Sequence, residues 1–385
     1  MIGELFRVAD FPALIAIPLF TFAGFLLAES QAPRRIMGFV EALCGWLPSG
    51  LAVVALAATA VFTAFTGASG VTIIALGGLV YSFLIGAGYP EKFSLGLVTT
   101  SGSLGLLFPP SLAIILYSLA ANVRVDALFL AGLIPGILLL VVLSGYSVIS
   151  GQRRNVTRSP FSWWSLGRAA KGAAWEIPLP IFVIGGIYAG VFTATEAATI
   201  AAVYVLVVEV IIRKELSAVR DLPRVIRETM MLVGAILVML GCAAGLTNYL
   251  VDQEIPGAIF SFVNQHVTNK YVFLVLLNLL LLAVNMIEVF SAIILVVPII
   301  APIALKYGVD PVHLGIVFLL NLEIGYMFPP FGLNLLLSSL RFKKPLPTVY
   351  RAVVPYLLLL LLVLLLVTYL PELSLAVVPA GMLSR

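Results

Sequence analysis

The sequence has 385 residues, of which 62% are hydrophobic and only 10% are charged. Soluble globular domains carry about 25% charged residues, so this composition excludes a soluble globule and indicates an all-α, polytopic protein of the lipid bilayer. The formal net charge of +4 does not indicate a nucleic-acid partner, because the basic residues lie in predicted loops, where the positive-inside rule places them.

Residues 1–50 are predicted to supply a scaffold span at 11–29 and an amphipathic interfacial helix at 36–46. Residues 51–85 are apolar apart from the sequence FTGASG at 65–70. Each arm of this segment has about 16 residues, or roughly 24 Å of helix, whereas a full span needs about 30 Å. These lengths predict a re-entrant hairpin with its tip at 66–70, and two short full spans are the alternative.

A broken span is predicted at 94–119, because the sequence GLLFPP interrupts it at 105–110. Pro109 and Pro110 have no amide hydrogen and clash with carbonyls of the preceding turn, while Phe108 is driven toward extended backbone. The hairpin and this broken span together form a first transport half at 51–122.

Residues 123–271 are predicted to be scaffold helices, with spans at 128–149, 175–192, 195–212 and 229–250 and a strongly basic loop at 152–171. Thr193 or Thr195 can cap the third of these spans, with Glu196 favoured in its first turn by the helix dipole. Capping accounts for Glu196, and a role in transport is the alternative.

A second transport half is predicted at 272–340. Two apolar arms surround the sequence NMIEVFS at 285–291, and the motif Gly-x-x-Phe-Pro-Pro returns at 325–330, 220 residues after its first copy. A basic segment at 341–351 and one further span at 353–369 form the C-terminal part, 341–385.

Charge asymmetry predicts the topology. With the loops at 30–50, 86–92, 150–174, 213–228 and 341–351 in the cytoplasm, 17 of the 22 Lys and Arg residues lie on that side. The first hairpin then enters from the cytoplasm and the second from outside, and the two broken spans run in opposite directions. This is an inverted repeat, an architecture that supports alternating access around a site at the bilayer midplane.

The broken spans indicate ion and substrate sites, because hydrocarbon tolerates unpaired backbone only where protein or a wet cavity covers it. Uncharged hydroxyl and carbonyl oxygens suit Na⁺ better than a transition metal. The alternative is that Ser, Thr and Gly only allow close packing between helices. The candidate ligands of the first sodium site are Thr66, Gly67, Ser69, Ser101, Ser103, Gly105 and the turn at Pro109.

The second candidate sodium site contains two carboxylates within apolar sequence, which are costly and therefore functional by default, as cation ligands or as a proton carrier. In the alternative, Glu288 caps a helix and Glu323 snorkels to an interface. The substrate is expected between the hairpin tips, where the N-termini of the second half-helices favour an anion. The second sodium site comprises Asn285, Glu288, Ser291, Asn321, Glu323, Gly325 and Pro329, and the substrate residues are Ser111, Gly332 and Asn334.

Several stretches resemble the large membrane subunit of the tripartite ATP-independent periplasmic (TRAP) transporters. They are FPALIAIPLF at 11–20, the hairpin tip TGASG at 66–70, both Phe-Pro-Pro segments, LFLAGLIPG at 128–136 and GGIYAGVFTATEAA at 185–198, the last being the most specific. Together they extend over nearly the whole chain. Family members usually have another apolar span before the position of Phe11, so the resemblance leaves open the possibility that the amino terminus of this sequence is incomplete. Ala68 and Glu288 stand where the family commonly has serine and aspartate, which leaves the geometry of both cation sites open.

The resemblance implies an elevator-type, multi-pass carrier of the bacterial cytoplasmic (inner) membrane, with two re-entrant hairpins and no catalytic residues. It implies a sodium gradient as the driving force, no cofactor besides Na⁺, and two partners: a small four-helix membrane subunit and a periplasmic substrate-binding protein. Carboxylates, including C4-dicarboxylates, are the implied substrates. A stand-alone divalent-anion/sodium symporter of similar design is the alternative. An intramembrane hydrolase is a remote one, because neither HExxH nor GxSxG accompanies the two glutamates.

Overall fold

The computed structural model describes residues 12–46, 49–152, 162–267, 269–284 and 289–382, and these are helical throughout apart from turns and short connections. Six of the described helices are long and apolar enough to cross a membrane, or up to eight spans when each bent helix pair counts as one. The helices are α1 Ala16–Glu29, α2 Ala32–Cys44, α3 Gly50–Thr66, α4 Ser69–Gly86, α5 Glu91–Ser101, α6 Leu112–Ala121, α7 Val125–Gln152, α8 Trp163–Gly172, α9 Pro178–Tyr188, α10 Ala194–Ile212, α11 Asp221–Asp252, α12 Ile255–His266, α13 Lys270–Val284, α14 Val289–Lys306, α15 Pro311–Gly325, α16 Leu333–Phe342, α17 Leu346–Tyr369 and α18 Glu372–Leu375.

Local sequence sets several of the helix ends. The predicted cap of α10 is confirmed: Thr193 Oγ1 accepts a hydrogen bond from the Glu196 amide at 3.2 Å, and Glu196 Oε2 accepts one from the Thr193 amide at 2.8 Å. Helix α2, predicted to be interfacial, begins at Ala32 rather than at residue 36, because Pro33 occupies the first turn, where a missing amide hydrogen costs nothing. Helix α11 begins at Asp221 rather than at residue 229, since the Asp221 carboxylate accepts the Ser217 amide at 2.9 Å.

The two helix breaks share one backbone pattern. Phe108 is extended, with φ −103° and ψ 142°, as the prolines predict, and α5 and α6 are bent by 45°. The Phe108 amide donates to Gly105 O and the Phe328 amide to Gly325 O, both at 3.2 Å. The amides at the next helix starts, those of Ser111 and Gly332, donate to the two phenylalanine carbonyls at 3.0 Å in each case. Both Pro-Pro peptide bonds are cis.

The half-helix that follows each break packs against helices of the other repeat. Helix α6, which follows the first break, packs against α14 and α15 of the second repeat. Helix α16, which follows the second break, packs against α4 and α5 of the first. The residues ahead of the first break, Leu104–Leu107, also contact α15. Both breaks therefore lie in one part of the molecule.

The predicted hairpin at 51–85 consists of α3 and α4, which meet at Gly67 and Ala68. Gly67 has φ +66°, a left-handed conformation that glycine adopts without strain. Helix α4 contains a π-helical turn, Ile73–Gly77. In the second repeat the arms are α13 and α14, and residues 285–288 between them lie outside the described residues.

Helix α1 packs against the predicted scaffold helices α10 and α11 and against α3, the first arm of the predicted hairpin. Helix α2 is attached by ion pairs around one guanidinium. Arg35 Nε donates to Glu176 Oε1 at 2.7 Å, its Nη2 lies 3.3 Å from Glu209 Oε1, and its Nη1 contacts Glu215. Glu176 and Glu209 are buried.

Candidate functional site

The tip of the first hairpin carries three buried threonines whose hydroxyls contact one another. Thr63 Oγ1 lies 2.8 Å from Thr72 Oγ1, and Thr66 Oγ1 lies 3.3 Å from the same atom. Thr63 Oγ1 is also 3.1 Å from the carbonyl oxygen of Gly102, next to the first break. The structure thus brings the predicted Thr66 beside the first broken helix. Thr63 and Thr72 were not predicted, although their spacing from Thr66, at i−3 and i+6, was available.

The predicted serines and glycines of the first half lie close to this tip. Ser69, Ser101 and Ser103 are all buried. Ser101 Oγ donates to Val98 O at 3.3 Å and Ser103 Oγ to Thr100 O at 3.2 Å, so both hydroxyls use carbonyls of their own helix.

Two glycines allow the close approach of the tip and the break. A Cβ on Gly105 would collide with the backbone of Ala60 and Ala64 in α3, and one on Gly67 would collide with the side chain of Leu112 at the start of α6. At Gly105 the break therefore packs directly against the backbone of α3, whereas at Gly67 the left-handed φ of +66° and the Leu112 side chain together favour glycine.

In the second half, Asn321 ends a buried hydrogen-bond chain. Its Nδ2 donates to Val317 O at 2.9 Å and to Asn278 Oδ1 at 2.7 Å, and Asn278 Nδ2 donates to Thr368 Oγ1 at 3.1 Å. The chain joins α15 to α13 and α17. Asn278 and Thr368 were not predicted, although a single asparagine within the apolar sequence of α13 was a visible signal.

Glu323 is fully buried, and neither of its carboxylate oxygens has a hydrogen-bond partner among the described residues. It lies in the last turn of α15, two residues before Gly325, and does not extend to the protein surface as the snorkelling alternative required. The hydroxyl of Ser291, at the start of α14, donates to the sulfur of Met239 in α11 at 3.2 Å, and its assignment to the second cation site stays a prediction. The predicted ligands Asn285 and Glu288 lie outside the described residues.

The predicted substrate residues lie at the starts of the two second half-helices. Ser111 and Gly332 are the N-cap residues of α6 and α16. Asn334 Nδ2 donates to Thr99 O of α5 at 3.2 Å, and Thr99 Oγ1 donates to Ser338 Oγ at 2.9 Å, so α16 is bonded directly to the first repeat. The side chains of Ser111 and Asn334 are buried.

Buried acceptors without partners concentrate around the breaks. Of the thirteen buried side-chain N and O atoms that lack a partner within the described ranges, seven are oxygens of Ser69, Thr100, Ser111, Asn321, Glu323 and Asn334. Buried polar atoms are normally bonded, so unpartnered ones indicate a ligand or strain. These oxygens are hard donors with one carboxylate among them, a set that suits a sodium-like cation. The helix N-termini at Ser111 and Gly332 suit an anion.

The part of the chain that the structure describes holds no group of three or more His, Cys, Asp or Glu side chains arranged to bind a metal ion. The predicted cation ligands that the structure describes carry uncharged oxygens, apart from the Glu323 carboxylate.

Comparison with known proteins gives a consistent result. The family model of the "Tripartite ATP-independent periplasmic transporter, DctM component" matches residues 1–373. The C4-dicarboxylate TRAP transporter large permease protein DctM of Pseudomonas aeruginosa is 35% identical over 97% of this chain and 88% of its own length. The isethionate TRAP transporter permease protein DctMQ of Oleidesulfovibrio alaskensis is 32% identical over 94% of this chain and 58% of its own length.

The chain is also similar to a relative named for a different substrate and to a transporter of known structure. The ectoine/5-hydroxyectoine TRAP transporter large permease protein UehC of Ruegeria pomeroyi is 30% identical over 94% of this chain and 85% of its own length. The crystal structure of the Alcanivorax borkumensis YdaH transporter superimposes with a TM-score of 0.69 over 98% of this chain and 88% of that chain. At 15% identity, this likeness concerns the fold alone.

Proposed function

Because the chain belongs to the DctM family, the large permease subunits of TRAP transporters, we propose that it is the permease of a sodium-coupled, binding-protein-dependent uptake system for organic acids. The observation that best supports the proposal is the pair of matched helix breaks, each flanked by buried oxygens without partners. In this proposal the oxygens around the first break and the hairpin tip hold one Na⁺, and Asn321, Glu323 and their neighbours hold another.

The substrate is proposed to be a carboxylate, with C4-dicarboxylates as the first class to test. The relatives are named for C4-dicarboxylate, isethionate and ectoine, each of which carries a carboxylate or a sulfonate. The N-termini of α6 and α16 present backbone amides and positive dipole ends, which attract such groups. Ser111 and Asn334 add polar side chains at the same two positions.

We further propose that the permease moves its substrate as an elevator in the bacterial inner membrane. The transport unit would contain the two hairpins, taken as re-entrant, and the two broken helices. The scaffold would contain α1, α2 and α7–α11. The exchange of α6 and α16 between repeats supports this division, because it joins both transport halves into one packed body.

The proposed partners are a small four-helix membrane subunit and a periplasmic binding protein. The relative named DctMQ is matched over 58% of its length, so that protein has room for a second component beside the matched part. Initial selection of the substrate would then be made by the binding protein.

Reconstitution into liposomes tests the proposal. We expect uptake of labelled succinate only when the small subunit, the binding protein and an inward sodium gradient are all present. Uptake without a binding protein would instead support a stand-alone divalent-anion/sodium symporter. Uptake driven by a pH gradient without sodium would assign coupling to protons.

Glu323→Gln separates the two couplings, because it keeps the shape of the side chain and removes its charge. As a sodium ligand, Glu323 should be needed for affinity, so the variant should raise the sodium concentration for half-maximal uptake by about tenfold, the effect of roughly 1.4 kcal/mol. The measurement is the sodium dependence of initial uptake rates at fixed pH. Unchanged sodium dependence together with loss of pH dependence would identify Glu323 as a proton carrier.

A further inference from the structure

A cavity of about 540 Å³ lies between the scaffold and the first transport half, apart from the site at the breaks. One wall is the junction of α1 and α2, which includes Ser30 and Arg34, and the other is formed by α4 and the end of α16, which includes Arg341. Its volume is typical of small-molecule sites. We propose that this cavity binds a small organic anion between the guanidinium groups of Arg34 and Arg341.

The local charges favour an anion. Three glutamates around the cavity walls are already paired with other cations: Glu29 with Arg224, Glu91 with Lys344, and Glu215 with Arg35. A fourth, Glu41 of α2, lines a neighbouring pocket that shares Ser82 with this cavity. Neither Arg34 nor Arg341 forms an ion pair with Glu41 or with any other residue in the described ranges. The cavity is therefore lined by two guanidinium groups without a carboxylate partner.

The fold makes room for the Arg341 guanidinium. A Cβ on Gly78 would lie 2.7 Å from Arg341 Nη2, so the absence of a side chain at Gly78 allows the guanidinium to lie against α4. Gly78 directly follows the π-helical turn Ile73–Gly77, and such turns occur frequently at functional sites. The neighbouring hydroxyl of Ser82 donates to Gly78 O at 2.9 Å, so the guanidinium groups are the principal free donors.

Two guanidinium groups match the chemistry of a dianion. Each presents a planar fork of N–H donors that binds a carboxylate, sulfonate or phosphate with two parallel hydrogen bonds. Arg34 belongs to the scaffold and Arg341 to the transport unit, so a bound anion bridges the parts that the elevator moves apart. The charge pattern places both arginines on the cytoplasmic side. The site would then receive the organic acid before its release; this role and the bridging of the two moving parts rest on the proposed function, whereas anion binding by the two arginines does not.

The same chemistry fits two sources of anion, the transported acid and the phosphate of an anionic lipid. The experiment uses the chain with its small subunit in nanodiscs, without sodium, so that sodium-coupled binding at the breaks does not contribute. Phenylglyoxal modifies arginines, and mass spectrometry gives the rate at each one. In phosphatidylcholine nanodiscs we expect 10 mM succinate or sulfate to slow labelling of Arg34 and Arg341 by at least about fivefold relative to chloride, with exposed Arg220 as the internal control.

Lipid as the source predicts a different pattern. Labelling of Arg34 and Arg341 would be slow in phosphatidylglycerol nanodiscs without any added acid. Equal rates for both arginines in chloride, succinate, sulfate and phosphatidylglycerol would overturn the inference. Failure of the anion-site inference would not affect sodium-driven uptake. Failure of the proposed transport function would not affect the protection of the arginines from labelling. The two failures can therefore be distinguished.

A pair of glycine variants in the same helix supplies a second test. Gly78→Ala displaces the Arg341 guanidinium, so succinate should no longer give the roughly fivefold slowing of Arg341 labelling. At Gly86 an added Cβ would have no atom within 4 Å, so Gly86→Ala should leave the protection unchanged. Equal protection in both variants would contradict the proposed position of Arg341.

Discussion

The amide group of Asn321 is oriented by the protein backbone. Because Val317 O can only accept a hydrogen bond, the atom 2.9 Å from it must be the Asn321 nitrogen. The same nitrogen then donates to Asn278 Oδ1, whose amide nitrogen donates to Thr368. Asn321 Oδ1 is left as a buried acceptor without a partner among the described residues. In the proposed sodium site, Asn278 and Thr368 would position Asn321 Oδ1 without binding the ion themselves.

Asn278→Leu should release that orientation. Without the acceptor on α13, the Asn321 amide keeps only its bond to Val317 O and is held less firmly, so we expect the sodium concentration for half-maximal uptake to rise by up to about tenfold, or roughly 1.4 kcal/mol. Asn278→Asp keeps an acceptor for Asn321 and should recover most of the affinity. Sodium titrations of uptake compare the two variants, and equal losses in both would indicate a purely structural role for Asn278.

At the residue scale, the sequence shows which side chains are polar but not in which direction each one points. Glu323 and Asn321 could be predicted because polar side chains are costly in apolar sequence, and both are buried beside the second break. The lone Asn278 and the spacing of Thr63 and Thr72 were also signals in the sequence, but periodicity does not show which neighbouring helix these side chains or Thr368 meet. The contact of Ser291 with Met239 of α11 likewise joins helices distant in sequence, which a pattern of residues cannot show.

At the scale of elements, the break after α5 depends on its contact with α3. Gly105→Ala would drive a methyl group into the backbone of Ala60 and Ala64, which cannot move aside without bending α3. We expect loss of uptake and a lower midpoint of thermal unfolding in detergent. Gly145→Ala in α7 is the matched control, since nothing lies within 4 Å and the helix should gain up to about 1 kcal/mol. Comparable destabilisation by both variants would argue against the close contact.

The attachment of α2 depends on Arg35. Arg35→Met leaves the buried carboxylates of Glu176 and Glu209 without their main partner, which should destabilise the protein by roughly 3–5 kcal/mol. The control Arg224→Met breaks the exposed pair with Glu29 and should cost about 0–1 kcal/mol. Thermal unfolding in detergent measures both. Adding Glu176→Gln to Arg35→Met should restore part of the stability, and a further decrease would refute the electrostatic explanation.

Elements were predicted well where backbone chemistry is decisive. The break at Pro109 and the cap at Thr193 and Glu196 follow from the geometry of proline and of helix ends, and both are confirmed. The starts of α2 and α11 differ from prediction because polar first turns are invisible to a hydrophobicity pattern. The packing of α6 and α16 against the opposite repeat could not be derived, since it depends on contacts distant in sequence.

For the molecule as a whole, the elevator proposal predicts which contacts are fixed and which must change. Cross-linking Thr99→Cys to Ser338→Cys, whose hydroxyls are 2.9 Å apart, joins parts of one transport unit and should preserve uptake. A bifunctional thiol reagent joining Gln31→Cys to Ser82→Cys across the cavity should abolish it, since these residues belong to scaffold and hairpin. Both pairs require replacement of Cys44 and Cys242. Uptake that survives the second cross-link would rule out relative movement of the two parts.

The exchange of α6 and α16 bears on how such a molecule could originate. The last half-helix of each repeat packs against helices of the other repeat, so the two repeats are structurally interdependent. In the inverted arrangement proposed above, a single-copy ancestor would have worked only as a pair of identical chains inserted in opposite orientations. Gene duplication and fusion would then have made permanent a partnership that already existed between separate polypeptides.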